Sequence, residues 1–199
     1  MTYVVILISL IPFYLLGAFP TGHLISKVHG VDITKQGSGN VGATNVARVI
    51  GKRAGVVTLL GDVLKGAFGV GIARLAVGDE WFPGAAAVAV VLGHCLSLPP
   101  YFKGGKGVAT ALGVIAVLYP SSSVVALVTF GASFGLWKIV SLSSIAATMI
   151  VPMWALVTNA PDAVSISLMV VAAIIVMRHE KNIKRIIEGR EPRFSSKAS

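Results

Sequence analysis

Apolar runs recur along almost the whole chain, and they constrain its fold more than any other feature. The last of them, Ala163–Met177, carries no charged residue between Asp162 and Arg178. A helix that is apolar on every side must be buried in protein or in lipid, and 199 residues cannot enclose so many of them. Only 13% of the residues are charged and 55% are hydrophobic, whereas soluble domains carry about a quarter charged residues. The chain therefore reads as an all-α integral membrane protein.

Gly, Pro and charged residues bound seven candidate spans: Tyr3–Ser26, Gly55–Val77, Trp81–Leu98, Val108–Tyr119, Ser122–Trp137, Ser144–Thr158 and Ala163–Met177. A spanning helix uses about 20 residues, so the chain reads as one polytopic domain, 1–199, ending in a polar tail over 186–199. Val108–Tyr119 is short, and a single helix from Gly107 to Trp137 is the competing reading. Placing Lys103, Lys106 and Lys138 on one side favours two crossings, with turns at Tyr119–Ser123 and Asn159–Asp162. About seven transmembrane helices then put the N-terminus outside and the C-terminus in the cytoplasm.

The net charge of +9 would suggest nucleic acid on a soluble protein. Here it follows the positive-inside rule, because all basic residues except Lys65 and Arg74 fall on the expected cytoplasmic side. No nucleic-acid partner is expected. The one cysteine, Cys95, forbids an intramolecular disulfide. Met1–Ser26 lacks the basic start of a cleaved signal peptide and reads as a retained first helix. An odd span number and the lack of an internal repeat argue against a transporter of two inverted halves.

Polar residues gather in four places on that cytoplasmic side. In Gln36–Arg48 three glycines alternate with Ser38, Asn40, Thr44 and Asn45, a pattern that frees backbone amides for an anion, with Arg48 adding charge. It is not a Walker loop, and a capped polar loop is the bland alternative. Phe102–Thr110 places Gly104, Gly105 and Gly107 around Lys103 and Lys106 before a helix, whose positive end attracts anions. Positive-inside alone requires only the lysines. Ser141, Ser143 and Ser144 follow Lys138 and suit either helix N-caps or a ligand. On a continuous helix Arg178, Asn182 and Arg185 share one face, as do His179 and Asn182. A basic juxtamembrane helix on anionic lipid explains the charges there but not His179 and Asn182.

Asp62 and Lys65 fall inside a span, where charges are costly unless paired or lining a polar cavity. His23 and His94 stand alone on apolar segments and read as satisfied interior residues; no metal or cofactor is expected. The chain has no Gly-x-Ser-x-Gly elbow, and no His is followed by Asp after four intervening residues. Parts that bind phosphate but offer little covalent chemistry suit a substrate that already carries a good leaving group.

Gly37-Ser38-Gly39-Asn40 through Thr44-Asn45-x-x-Arg48, Lys103-Gly104-Gly105-Lys106-Gly107, and His179 with Asn182 resemble the motifs of the bacterial PlsY family, over essentially the whole chain. Its members are integral membrane glycerol-3-phosphate acyltransferases that use acyl phosphate. The resemblance implies glycerol 3-phosphate, acyl phosphate and membrane lipids as partners, in the bacterial inner membrane with the site facing the cytoplasm. It implies catalytic roles for Ser38, Arg48, Lys106, His179 and Asn182. Gly37, Gly39, Asn40, Thr44, Asn45, Lys103, Gly104, Gly105, Gly107 and Thr110 would bind phosphate groups, with Ser143 or Ser144. Oligomeric state is not legible. The glycerol hydroxyl would attack the acyl carbonyl, with His179 orienting or acting as base, or with the acyl phosphate itself taking the proton. A small transporter of phosphate esters or anions is the alternative from the residues alone.

Overall fold

The structure is a computed structural model that describes residues 2–76, 79–97 and 103–194. The expected span ends Val77 and Leu98, and Phe102 of the second cluster, lie outside the described residues. The helices are α1 (Thr2–Ala18), α2 (Thr21–Val28), α3 (Ala43–Val49), α4 (Lys52–Ala76), α5 (Phe82–Leu96), α6 (Val108–Leu118), α7 (Pro120–Trp137), α8 (Val140–Val157), α9 (Asp162–Arg178) and α10 (Glu180–Ile187). No strand occurs among the described residues.

Four segments are long and apolar enough to cross a bilayer: Val4–Val28, Lys52–Leu75, Pro120–Trp137 and Val140–Val157. Counting α9 with α10 as one broken span gives a fifth. α5 and α6 are apolar but shorter. Each of the seven expected runs is therefore helical, while four or five meet the length of a full crossing.

Three boundaries differ from expectation, each for a local reason. Pro20, which has no N–H to donate, separates α1 from α2 inside the expected first run. α8 begins at Val140, so Ser143 and Ser144 are not caps but helical residues whose hydroxyls donate to the carbonyls of Ile139 (2.9 Å) and Val140 (2.8 Å). The helix through Arg178 is not continuous: α9 and α10 meet at His179 with a bend of 62°.

Glycines let the helices touch backbone to backbone, the packing mode available where lipid removes the hydrophobic drive. A side-chain carbon at Gly66 of α4 would lie 2.1 Å from the Thr110 carbonyl oxygen, and one at Gly113 of α6 would lie 1.9 Å from that of Val63. Gly17 and Gly93 make the same seam between α1 and α5. Arg74 donates to the Leu118 carbonyl at 2.9 Å and so satisfies the end of α6. The main core, including Val91, Val114, Leu168 and Ile175, lies among α5, α6, α8 and α9.

Candidate active site

The loop before α3 is organised by one side chain. Asn45 is 2% exposed; its Oδ1 accepts the Ser38 N–H at 2.9 Å, and its Nδ2 donates to the carbonyls of Gln36 (3.0 Å) and Asn40 (2.9 Å). Gly37 has φ +59°, and a side chain there would also meet Asn45 Oδ1 at 2.3 Å, so the position demands glycine twice over. The Gly39 N–H goes to the Gln36 carbonyl and the Gly42 N–H to Asn40 Oδ1. The amides of Ser38, Gly39 and Gly42 are thus engaged within the loop rather than offered as the expected anion nest. What reaches the cavity is side-chain chemistry from Ser38, Asn40, Thr44 and Arg48.

The loop before α6 is held from behind. Gly104 and Gly105 are buried, because a Cβ at Gly104 would lie 1.9 Å from the Cys95 carbonyl oxygen and one at Gly105 2.3 Å from His94 Nε2. The Gly105 N–H donates to the His94 carbonyl at 3.0 Å. Arg178 donates to the Gly105 carbonyl through Nε at 3.1 Å and to that of Gly104 through Nη2 at 3.4 Å. Those contacts leave Lys106 and Gly107 on the cavity wall. Burial pushes the Lys106 ammonium down to about 8; Glu191 opposes this, and the nearby arginines 185, 48 and 178 reinforce it.

At the bend between α9 and α10, His179 is 1% exposed and its Nδ1 lies 2.8 Å from the Ile175 carbonyl oxygen. A carbonyl only accepts, so Nδ1 carries the proton and Nε2 keeps its lone pair. Asn182 and Arg185, one and two turns on, line the same cavity.

Glu191 is a site residue that sequence reasoning missed. Its side chain is 7% exposed; it accepts from Ser141 Oγ (2.6 Å), Asn182 Nδ2 (2.5 Å) and Arg185 Nε (2.6 Å). Burial works against its charge, but those three donors outweigh it and hold the carboxyl below the usual range. Pro192 and Phe194 continue along the cavity, and Phe194 lies edge-on to Phe134 at 5.9 Å. Gly189 at φ +67° and Pro192 were the available signals that the chain turns back here.

These elements converge on one cavity of 360 Å³. Ser38, Asn40, Thr44, Asn45, Arg48, Lys106, Gly107, Ser144, His179 and Asn182 line it, drawn from loops far apart in sequence. Of the two candidate serines, Ser144 reaches the lining and Ser143, fully buried, does not. Gly37, Gly39, Gly104 and Gly105 shape the loops from outside the lining, and Lys103 lines a separate small crevice with His23. Thr110 faces the Gly66 seam, and its buried hydroxyl has no hydrogen-bond partner. Beyond the polar end the walls become apolar, with Leu112, Ile115, Phe130, Val151, Leu168 and Ile175. No cluster of three or more His, Cys, Asp or Glu that could hold a metal occurs among the described residues.

The sequence profile described as Glycerol-3-phosphate acyltransferase matches residues 7–189. The chain belongs to that family. A glycerol-3-phosphate acyltransferase from Syntrophotalea carbinolica is 44% identical over 191 residues, covering 95% of this chain and 97% of the relative. One from Aquifex aeolicus is 46% identical over 185 residues, covering 91% and 95%. Among solved structures, PlsY (YgiH), an integral membrane glycerol 3-phosphate acyltransferase, superposes in its glycerol 3-phosphate form with a TM-score of 0.91 at 42% identity, over 96% of each chain. Its lysophosphatidic acid form gives 0.89. The resemblance read from the loop motifs is thus upheld at the level of family and of an all-helical membrane fold.

Proposed function

We propose that this protein transfers an acyl group from acyl phosphate to the 1-hydroxyl of glycerol 3-phosphate, releasing phosphate and 1-acylglycerol 3-phosphate. The observation that carries the reading is the two-part cavity, with a cationic mouth at Arg48, Lys106 and Arg185 that is continuous with an apolar pocket between α6, α7, α8 and α9. The first part suits two phosphate groups and the second an acyl chain. Relatives named glycerol-3-phosphate acyltransferase, matched over nearly their full length, support acyl transfer to glycerol 3-phosphate.

In the proposed step the 1-hydroxyl oxygen bonds to the acyl carbon, the bond from that carbon to the phosphate oxygen breaks, and phosphate leaves with the electron pair. The hydroxyl proton passes to the departing phosphate. Lys106, Arg48 and Ser38 neutralise and orient the donor phosphate and the developing oxyanion, a preorganised electrostatic contribution. His179 Nε2, an acceptor by virtue of the Nδ1 bond to Ile175, orients the attacking hydroxyl. Its Nδ1 contact is a backbone carbonyl rather than the carboxylate that usually assists a general base. Asn182 and Arg185, tethered by Glu191, hold the glycerol 3-phosphate end. The sorting of basic residues supports a site facing the cytoplasm of the bacterial inner membrane, with the N-terminus outside.

The test supplies purified protein with radiolabelled glycerol 3-phosphate and either palmitoyl phosphate or palmitoyl-CoA. Labelled lysophosphatidate from the first donor alone is the expected result. Label carried into liposomes without lipid product would replace the enzyme by a transporter.

A further inference from the structure

Beneath the Lys106 loop lies a charged cluster within the helical bundle that the proposed acyl transfer does not use. Asp62 and Lys65 of α4 and His94 of α5 are 3%, 7% and 8% exposed. Lys65 Nζ lies 2.8 Å from Asp62 Oδ1 and donates to the Phe19 carbonyl at 3.1 Å, so the pair is neutral overall and tied to the α1–α2 corner. His94 was expected to be a satisfied interior residue. Instead its Nδ1 stands 3.6 Å from Asp62 Oδ1, close enough for charge but too far for a hydrogen bond, and that nitrogen has no hydrogen-bond partner.

Ion pairing alone would explain Asp62 and Lys65, at the cost that charges carry in lipid. It does not explain why Asp62 and His94 both reach the wall of the substrate cavity. Nor does it explain what His94 touches. Its carbonyl takes the Gly105 N–H, and its ring sits where any side chain at 105 would go. Lys106 is the next residue.

We propose that Asp62 and His94 are positioning residues for the acyl transfer: Asp62 sets the orientation of the His94 ring, and His94 sets the height of the Gly104–Gly107 backbone and hence the reach of Lys106 into the cavity. Arg178 holds the same loop from the end of α9 through the carbonyls of Gly104 and Gly105. The loop is gripped between α5 and the end of α9, and its one charged side chain toward the cavity is placed by that grip. The proposal rests on the acyl-transfer reading, so its test includes one readout that does not need turnover.

Asp62→Asn alone would leave Lys65 buried without its carboxylate and is expected to fold poorly; Asp62→Asn with Lys65→Gln keeps the cluster neutral. The double variant should keep its melting temperature and raise KM for the phosphate donor at least about tenfold with a smaller change in kcat. Its pH profile should lose the alkaline limb belonging to Lys106 or move it. Amide exchange over 105–108, followed by mass spectrometry without substrate, should speed up while the rest of α6 stays protected. A second pair tests the ring itself: Gly105→Ala collides with His94, and His94→Ala makes room, so the two together should be more active than Gly105→Ala alone. Unchanged exchange and unchanged KM in the neutral double variant would overturn the proposal while wild-type turnover still upheld the acyl-transfer reading. Purely multiplicative losses in the Gly105 and His94 pair would overturn it as well. No turnover in the wild type with altered exchange in the variant would uphold the placement of the Gly104–Gly107 loop by Asp62 and His94 and sink the acyl-transfer reading.

Discussion

Replacing Asn45 by alanine isolates what the first loop contributes. The side chain makes three short hydrogen bonds, to the Ser38 N–H and to the carbonyls of Gln36 and Asn40. A buried hydrogen bond contributes about 1 kcal/mol net, and leaving its partner unsatisfied costs at least as much. Three of them amount to about 3 kcal/mol of local order, roughly two decades in an equilibrium constant. If the ordered loop is the form that binds phosphate, Asn45→Ala should lower kcat/KM by up to about 100-fold. Most of the loss should appear in KM, and the melting temperature should fall only modestly, because the main core contains no residue of this loop. Asn45→Asp is the sharper probe. It keeps the acceptor for Ser38 but turns a second oxygen toward two carbonyls, so it should be at least as impaired as the alanine variant. The assay is steady-state acyl transfer in detergent with varied donor and acceptor, beside thermal unfolding. A less than threefold change in both variants would refute the reasoning.

The Lys106 ammonium, lowered to about 8, is charged below that pH and neutral above it. Donor kcat/KM should therefore be flat from about pH 6.5 to 7.5 and fall tenfold per unit well above 8; a profile level to pH 9.5 would contradict the role given to Lys106. Because Glu191 holds that lysine up, Glu191→Gln should move the alkaline limb to lower pH and raise KM for glycerol 3-phosphate roughly tenfold by loosening one charge-assisted contact. Gly113→Val would force α4 and α6 apart at the Val63 carbonyl and should cost about 3 kcal/mol, near the top of the overpacking range, read as a lower melting temperature in detergent without a selective change in KM.

The bundle was legible because lipid demands long apolar runs, and Gly, Pro and charge mark their ends. The two glycine-rich loops were legible for the same reason in reverse: nothing in a span needs Ser38, Asn40 or Lys106. What could not be read was phase and distance. Thr110 sits two residues into α6, about 200° around the helix from Val108, so it faces α4 while Val108, Ala111 and Ile115 face the cavity. Asn45 looked like a ligand and lines the cavity, yet its amide builds the loop; both uses require the same amide at the same place. Glu191 meets Ser141 across fifty positions of sequence, and a polar tail gives no periodic signal to say where it returns. The serines of α8 misled because Ser is favoured both as a cap and, through its bond to the preceding turn, inside apolar helices.

α6 has a consequence for the bilayer itself. Its 11 residues rise about 16 Å, roughly half of a 30 Å hydrocarbon core, so its two ends cannot both lie at the headgroup level. Gly107, where α6 begins, either sits well below the surface or draws the surface down to meet it. Water and a doubly charged small molecule then have to descend to the place that an acyl chain reaches sideways, and the depth of that descent depends on lipid length. Turnover in vesicles should accordingly fall as the host acyl chains lengthen, because thickening the membrane strains a short helix more than it strains the 25-residue α4 beside it.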